Sequence, residues 1–273
     1  MSNASATRRS ISETFADLRK NKQIALMPFI PAGYPDLETT ATLLPALEAG
    51  GANLIEIGIP FSDPIADGPI IQAAFSDALA RGIRLEQVFK TVETARKTVS
   101  IPLIAMVSFS IVFRLGVERF AVTAKQAGLD GLIIPDLPPP EAASVCHEVQ
   151  QAGLETSLLV APTTPHSRRI EIAGLSSGFI YYLSLSGVTG ERTELPQGLA
   201  DGLRDMKQIT DRPVCVGFGI SRAEHVDQLR GLADGAIVGS GVVRRIQEHA
   251  AAGSEAIAGA VESYCRDLLS RVR

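Results

Sequence analysis

Leu54-Ile-Glu-Ile-Gly-Ile-Pro-Phe-Ser-Asp-Pro-Ile-Ala-Asp-Gly-Pro69 is the stretch on which the fold turns. Its opening residues are apolar on both sides of Glu56, without the polar alternation of a strand that faces water. A continuous apolar run of that length reads as a strand, Asn53–Ile59, buried on both faces as in a parallel sheet. The prolines and Gly68 that follow prescribe an irregular loop, and the apolar spacing of Ile70–Arg81 then predicts a helix. Strand, loop and helix in that order form one βα unit.

The same unit recurs outward in both directions. Upstream, Ser10-Ile-Ser-Glu13 is a capping box that opens a helix to about Asn21. It is followed by an apolar strand, Ala25–Ile30, and a helix, Leu37–Ala49, stopped at Gly50-Gly51. Downstream, further strands are expected at Leu103–Phe109, Gly131–Ile134, Thr156–Val160, Phe179–Leu185, Val214–Gly217 and Gly235–Val238. Helices are expected at Leu85–Val99, Val117–Ala127, about Pro140–Ala152, Ser167–Ala173, Leu199–Ile209 and Arg222–Leu229, and in the C-terminal region. The most apolar run, Ile101–Phe113, carries Pro102 and is too short for a membrane span, so it reads as a buried strand.

Eight such strands fit one closed barrel in 273 residues, whereas a doubly wound open sheet would use fewer. The expected fold is α/β: a single (β/α)8 TIM barrel with an additional N-terminal helix, residues 11–273, behind a flexible N-terminus, 1–10. Apolar residues make up 45%, enough for a large core and too many for wholesale disorder. A net charge of −4 disfavours a nucleic-acid or anionic-membrane surface, since both need a basic face. Three cysteines, Cys146, Cys215 and Cys265, show no C-x-x-C spacing, and the first ten residues lack the apolar core of a secretory signal. A reducing, cytoplasmic setting is the expectation.

Reactive groups of such a barrel lie at the carboxyl ends of its strands. The second strand end offers Glu56, Asp63 and Asp67, the densest polar cluster of the chain. A carboxylate flanked by Leu54, Ile55 and Ile57 must be paired or have its pKa raised, and a raised pKa suits a proton shuttle at neutral pH. Competing readings are an internal ion pair for Glu56, turn-making for the two aspartates, and a divalent cation held by all three. The last three strands run into Ser186-Gly-Val-Thr-Gly190, Gly217-Phe-Gly-Ile-Ser221 and Gly239-Ser-Gly241. Glycine-rich turns that open helices present backbone N–H groups to an anion, and this end of the barrel is the usual phosphate site. None of the six lysines falls on a strand end, which disfavours Schiff-base chemistry, and the four histidines lack metal-ligand spacing. Carboxylate acid–base catalysis on a small phosphate ester remains, with no metal.

Those residues together resemble the alpha subunit of tryptophan synthase. The likeness rests on Leu54–Pro69, Ala25-Leu-Met-Pro-Phe29, Ser186–Gly190 and Gly217–Ser221, in the same order, and spans roughly Ser12 to Ile246. It implies a retro-aldol lyase that cleaves indole-3-glycerol phosphate to indole and glyceraldehyde 3-phosphate. By resemblance, Glu56 is the acid–base, and Asp67 hydrogen-bonds the indole N–H and balances its developing positive charge. Gly190, Gly219, Gly239 and Ser240 match phosphate-binding positions. Phe29, Ile133, Tyr181 and Phe218 match the indole pocket, and Thr189 the mobile-loop residue that pairs with the Asp67 position. The resemblance implies no cofactor in this chain and a pyridoxal-phosphate beta subunit as partner, in an α2β2 assembly. The chain departs from the family after the third strand. Met106-Val-Ser-Phe-Ser-Ile111 stands where Met-Thr-Tyr-Tyr-Asn-Pro is common, so Ser108 replaces a tyrosine bordering the site and Ser110-Ile111 replace the Asn-Pro of a partner-facing segment. Two other readings are a different phosphate-binding barrel of indole or ribose metabolism, and a non-catalytic, ligand-binding activator of a partner enzyme.

Overall fold

Ser10 closes the expected capping box: its hydroxyl accepts from the Glu13 N–H, and the Glu13 carboxylate accepts from the Ser10 N–H at 2.8 Å. The helix it opens, α1 (Ile11–Lys20), buries Ile11, Phe15 and Leu18. In the computed structural model, which describes residues 8–64, 67–184, 196, 198–217 and 219–272, those three side chains enter a cluster with Ala25, Met27, Leu54, Ile104, Ile133, Phe179, Tyr181, Cys215 and Ile237. All the latter lie in the strands or, as Leu54 and Phe179 do, immediately before one, so α1 plugs the amino end of a barrel whose interior is filled with side chains.

The described strands are β1 (Ala25–Pro31), β2 (Ile55–Gly58), β3 (Leu103–Met106), β4 (Gly131–Ile133), β5 (Glu155–Ser157), β6 (Leu159–Val160), β7 (Ile180–Leu183), β8 (Val214–Gly217) and β9 (Gly235–Val238). They lie in the order β5-β4-β3-β2-β1-β9-β8-β7-β6, and every pairing is parallel. Only Leu158 separates β5 from β6, and one pairs with β4 while the other pairs with β7. The two are halves of one stave, so the eight expected strand positions close into a barrel. Alternate residues sort the core into two layers. Leu26, Ile30, Ile55, Ile57, Leu103, Ala105, Val214, Val216, Ala236 and Val238 pack outward against the helices, as the period of 2 along a strand requires. Both faces are thereby buried, which is why these strands read as unbroken apolar runs.

Helix α2 (Leu37–Gly50) starts where the Asp36 carboxylate accepts from the Thr39 N–H and stops at Gly51, whose φ of 101° is left-handed. The remaining helices are α3 (Pro69–Ala80), α4 (Leu85–Ala95), α5 (Phe109–Leu115), α6 (Val117–Gln126), α7 (Ala142–Gln151), α8 (His166–Leu175), α9 (Leu199–Ile209), α10 (Ala223–Leu229), α11 (Ser240–His249) and α12 (Ser254–Leu268). Reading Ile101–Phe113 as one buried strand is incorrect, as is extending the third strand to Phe109. The strand ends at Met106, and Ser108, accepting from the Ser110 N–H, caps the short helix α5. Bulky apolar residues hid the boundary, because Phe113 of that helix is 68% exposed rather than buried. Helix α4 also stops short of Val99, since Arg96 turns inward to donate to the carbonyls of Gly128 and Ile101, both at 2.6 Å.

Arg96 also pairs with the buried Asp130 carboxylate, which accepts from the Arg8 Nε at 2.8 Å and the Leu103 N–H at 2.9 Å. Burial pulls the Arg96 guanidinium down to about 10 while Asp130 opposes the drop. Asp130→Ala would strand that cation among carbonyls. We expect a loss of about 3 kcal/mol in unfolding free energy by urea denaturation. A loss below about 1 kcal/mol would mean that the carbonyls alone satisfy Arg96.

Candidate active site

Glu56 points into the barrel because its neighbours Ile55 and Ile57 take the outward positions of β2. It lies in register with Phe29 of β1 and Ile104 of β3. Its carboxyl group is fully buried, and neither oxygen has a hydrogen-bond partner among the described residues. Burial first, and the negative charge of Asp67 second, raise its pKa to about 8. Among the described residues no cation reaches either oxygen, so the internal-pair reading fails on geometry. An orphaned buried acid costs stability unless a ligand completes it.

Asp67 ends the loop after β2. Its N–H donates to the Pro64 carbonyl at 3.0 Å, and its own carbonyl accepts from the Gln72 side-chain amide at 2.8 Å. Gln72 lies on α3, so the helix that follows the loop reaches back and fixes it. The same amide donates to Pro64 at 3.3 Å. Sequence reasoning missed Gln72, because both carbonyls it clamps are backbone groups that no residue pattern marks. Burial raises Asp67 to about 6. Asp63, the third carboxylate of the stretch, is exposed and stands outside the pair. Two acids in one mouth with separated pKa values suit an acid and a charge-stabilising base at neutral pH.

Of the expected pocket residues, Phe29, Ile133 and Tyr181 are buried on the inner face of β1, β4 and β7. Ile133 and Tyr181 share the interior cluster, while Phe29 packs with Ile71, Ala74, Phe75 and Val243. Met106 touches both groups and bridges them. The Phe29 ring meets Phe75 edge-on, with centroids 6.2 Å apart. It occupies space that only a glycine at 58 leaves, since a Cβ there would come within 2.5 Å of Phe29 Cζ. Likewise a Cβ on Gly217 would fall within 2.6 Å of Tyr181 Cζ, and burial, then Glu56 and Asp67, hold the Tyr181 hydroxyl well above its ordinary pKa.

The turns after β8 and β9 carry three expected phosphate positions. Gly219 has a φ of +81°, a conformation L side chains rarely adopt. Gly239 precedes α11 and Ser240 begins it, and the first N–H groups of a helix have no partner within it. A Cβ on Gly239 would lie 3.7 Å from Phe29 Cδ1 and 3.4 Å from Ile71 Cδ1, so this turn adjoins the aromatic pocket. Thr189, Gly190 and Phe218 lie outside the described residues.

Ser108 is buried at the same rim, where its hydroxyl donates to the Asp136 carboxylate at 2.6 Å. The other Asp136 oxygen accepts from the Phe109 N–H at 2.7 Å. Asp136, in the turn after β4, therefore anchors α5 from outside it. No local pattern could have indicated that contact. Among the described residues, no helix is long and apolar enough to cross a membrane.

The family model described as "Tryptophan synthase alpha chain" matches residues 15–272. A tryptophan synthase alpha chain from Rippkaea orientalis is 45% identical over 260 residues, 95% of this chain and 96% of its own. The corresponding protein from Chloroflexus aggregans is 46% identical over 261 residues, 95% of this chain and 97% of its own. Among solved structures, a mutant tryptophan synthase alpha-subunit from the hyperthermophile Pyrococcus furiosus aligns with a TM-score of 0.84 at 38% identity, covering 91% of this chain and 98% of that one. A chain from Aquifex aeolicus aligns with a TM-score of 0.87 at 33% identity, covering 96% and 98%. Barrel, buried acid and full-length likeness agree, and the chain belongs to the tryptophan synthase alpha chain family.

Proposed function

We propose that this chain cleaves indole-3-glycerol phosphate to indole and glyceraldehyde 3-phosphate, with Glu56 as acid–base and Asp67 as the charge-stabilising group. The observation that carries the reading is the Glu56 carboxyl, fully buried on the inner face, without a partner among the described residues, and held near 8. At neutral pH it carries a proton. It delivers that proton to indole C3, leaving positive charge on the ring nitrogen, where the Asp67 carboxylate accepts the N–H. The resulting Glu56 carboxylate then takes the proton of the hydroxyl on the carbon attached to C3. The C3–carbon bond breaks, its electron pair restores the indole, and the carbon becomes the aldehyde of glyceraldehyde 3-phosphate. Glu56 ends protonated, so the cycle closes without cofactor or metal in this chain.

Phe29, Ile133 and Tyr181 supply an apolar slot for the indole, with Phe218 as the fourth wall. Gly219, Gly239 and Ser240 offer backbone N–H groups to the phosphate, joined by Gly190, while Thr189 closes over Asp67. A beta subunit carrying pyridoxal phosphate receives the indole in an α2β2 assembly in the cytoplasm. Helix α5, with Phe113 exposed next to the site's rim, supports docking on that side.

The test is indole release from indole-3-glycerol phosphate, with and without a beta subunit from the same organism. Release that the partner stimulates is the expected result. Release unaffected by the partner would sink the coupled assembly and leave the chemistry. No release from folded protein would sink the lyase reading.

A further inference from the structure

We infer that Tyr264, on the C-terminal helix and outside the substrate pocket, is a positioning residue that holds both phosphate-binding turns in register; this rests on the phosphate reading above. Tyr264 is 7% exposed, and its hydroxyl donates to the Ser221 carbonyl at 2.9 Å. The Ser221 N–H in turn donates to His225 Nδ1 at 3.3 Å. Ser221 is thus held at both its polar backbone groups, two residues beyond the left-handed Gly219 in the turn after β8.

The same phenol supports the neighbouring turn. A Cβ on Gly241 would lie 3.0 Å from Tyr264 Cζ and closer still to its hydroxyl oxygen, so the first turn of α11 rests directly on the ring. From the next turn of α11, the Arg245 guanidinium sits over the ring face, 4.0 Å from its centroid. One side chain therefore touches the segments after β8 and after β9, which carry Gly219 on one side and Gly239 and Ser240 on the other. The segment that follows α12 is itself tied to α10 and its exit, by Arg271 to Glu224 at 2.7 Å and by Arg230 to the Val272 carbonyl at 3.0 Å. A cradle of backbone N–H groups binds an anion only while the groups stay aimed, and displacing one turn against the other weakens all of them together.

The hydroxyl, and not the ring alone, makes the link. Tyr264→Phe keeps the ring edge against Gly241 and the ring face beneath Arg245, and leaves the half-buried Ser221 carbonyl without its donor. In this variant the KM for indole-3-glycerol phosphate is expected to rise about fivefold, the effect of one hydrogen bond. The inhibition constant of inorganic phosphate should rise by the same factor, with kcat within about twofold of the unsubstituted protein. Binding of indole, which has no phosphate, stays unchanged. A merely structural role would lower the active fraction, seen as a fall in kcat at constant KM and constant phosphate inhibition; that result, or no change in any constant, overturns the inference. Failure of inorganic phosphate to inhibit the unsubstituted protein, with turnover intact, would instead remove the phosphate reading and this inference with it.

Discussion

Glu56→Gln is expected to abolish indole release, with kcat reduced by roughly 10³-fold or more, while the protein becomes more stable at alkaline pH. The amide keeps the shape of the carboxyl group and cannot shuttle the proton between indole C3 and the glycerol hydroxyl. Substrate affinity should persist, since phosphate and indole are held elsewhere. Stability moves the opposite way because the Glu56 carboxyl is held near 8 against an ordinary value of 4.5. Above pH 4.5 the unfolded chain gives up this proton and the folded chain retains it, so unfolding releases a proton and becomes easier as pH rises. The stabilisation tied to Glu56 is complete below about 4.5 and is lost by about 8, on the order of 5 kcal/mol in all. Glutamine has no proton to lose. Urea denaturation at pH 5 and pH 8.5 should show the variant gaining several kcal/mol relative to the unsubstituted protein between the two conditions. An equal difference at both pH values would mean that Glu56 titrates as an ordinary carboxylate, and the proton-shuttle argument would fall.

Asp67→Asn should lower kcat by about 10²- to 10³-fold, because a neutral amide no longer balances the positive charge that develops on the indole nitrogen. It should also reshape the pH profile. With Asp67 raised to about 6 by burial and Glu56 to about 8, activity requires the first ionised and the second protonated. The profile of kcat/KM is then a bell, rising through about 6 and falling through about 8. The two acids influence each other, so the limbs belong to the pair rather than to either residue alone. In Asp67→Asn the acid limb should disappear and the alkaline limb remain, shifted to lower pH because the charge that helps raise Glu56 is gone. Persistence of the acid limb in that variant would assign it to another group and reject the role given to Asp67.

The capping box at Ser10, the eight strand positions and α9 at Leu199–Ile209 were all legible, because each follows from a local pattern that neighbours in sequence can express. The failure at Ile101–Phe113 has the same origin. Apolar content does not distinguish a buried strand from a helix that carries an exposed Phe113, and the boundary is made by Ser108 together with Asp136, 28 residues away. Gln72 and Tyr264 were invisible for a related reason. Their partners are backbone carbonyls, which every residue possesses and no sequence marks.

The linear chain by itself determined the order of βα units, the burial of both strand faces, and the presence of Glu56 and Asp67 beside a proline-rich loop. Those properties reside in periodicity and residue type. Only the closed barrel decided that Glu56 would be orphaned and Asp63 left in water, and that Phe29 would cover the place where Gly58 has no side chain. Closure also brought Arg8 and Arg96 onto Asp130, and the C-terminal Tyr264 beneath two turns from different strands. A pKa depends on the dielectric and charges that surround a group in space, and a backbone cradle depends on what braces it from behind. Both are set by contacts between segments far apart along the chain, which exist only once the barrel has closed.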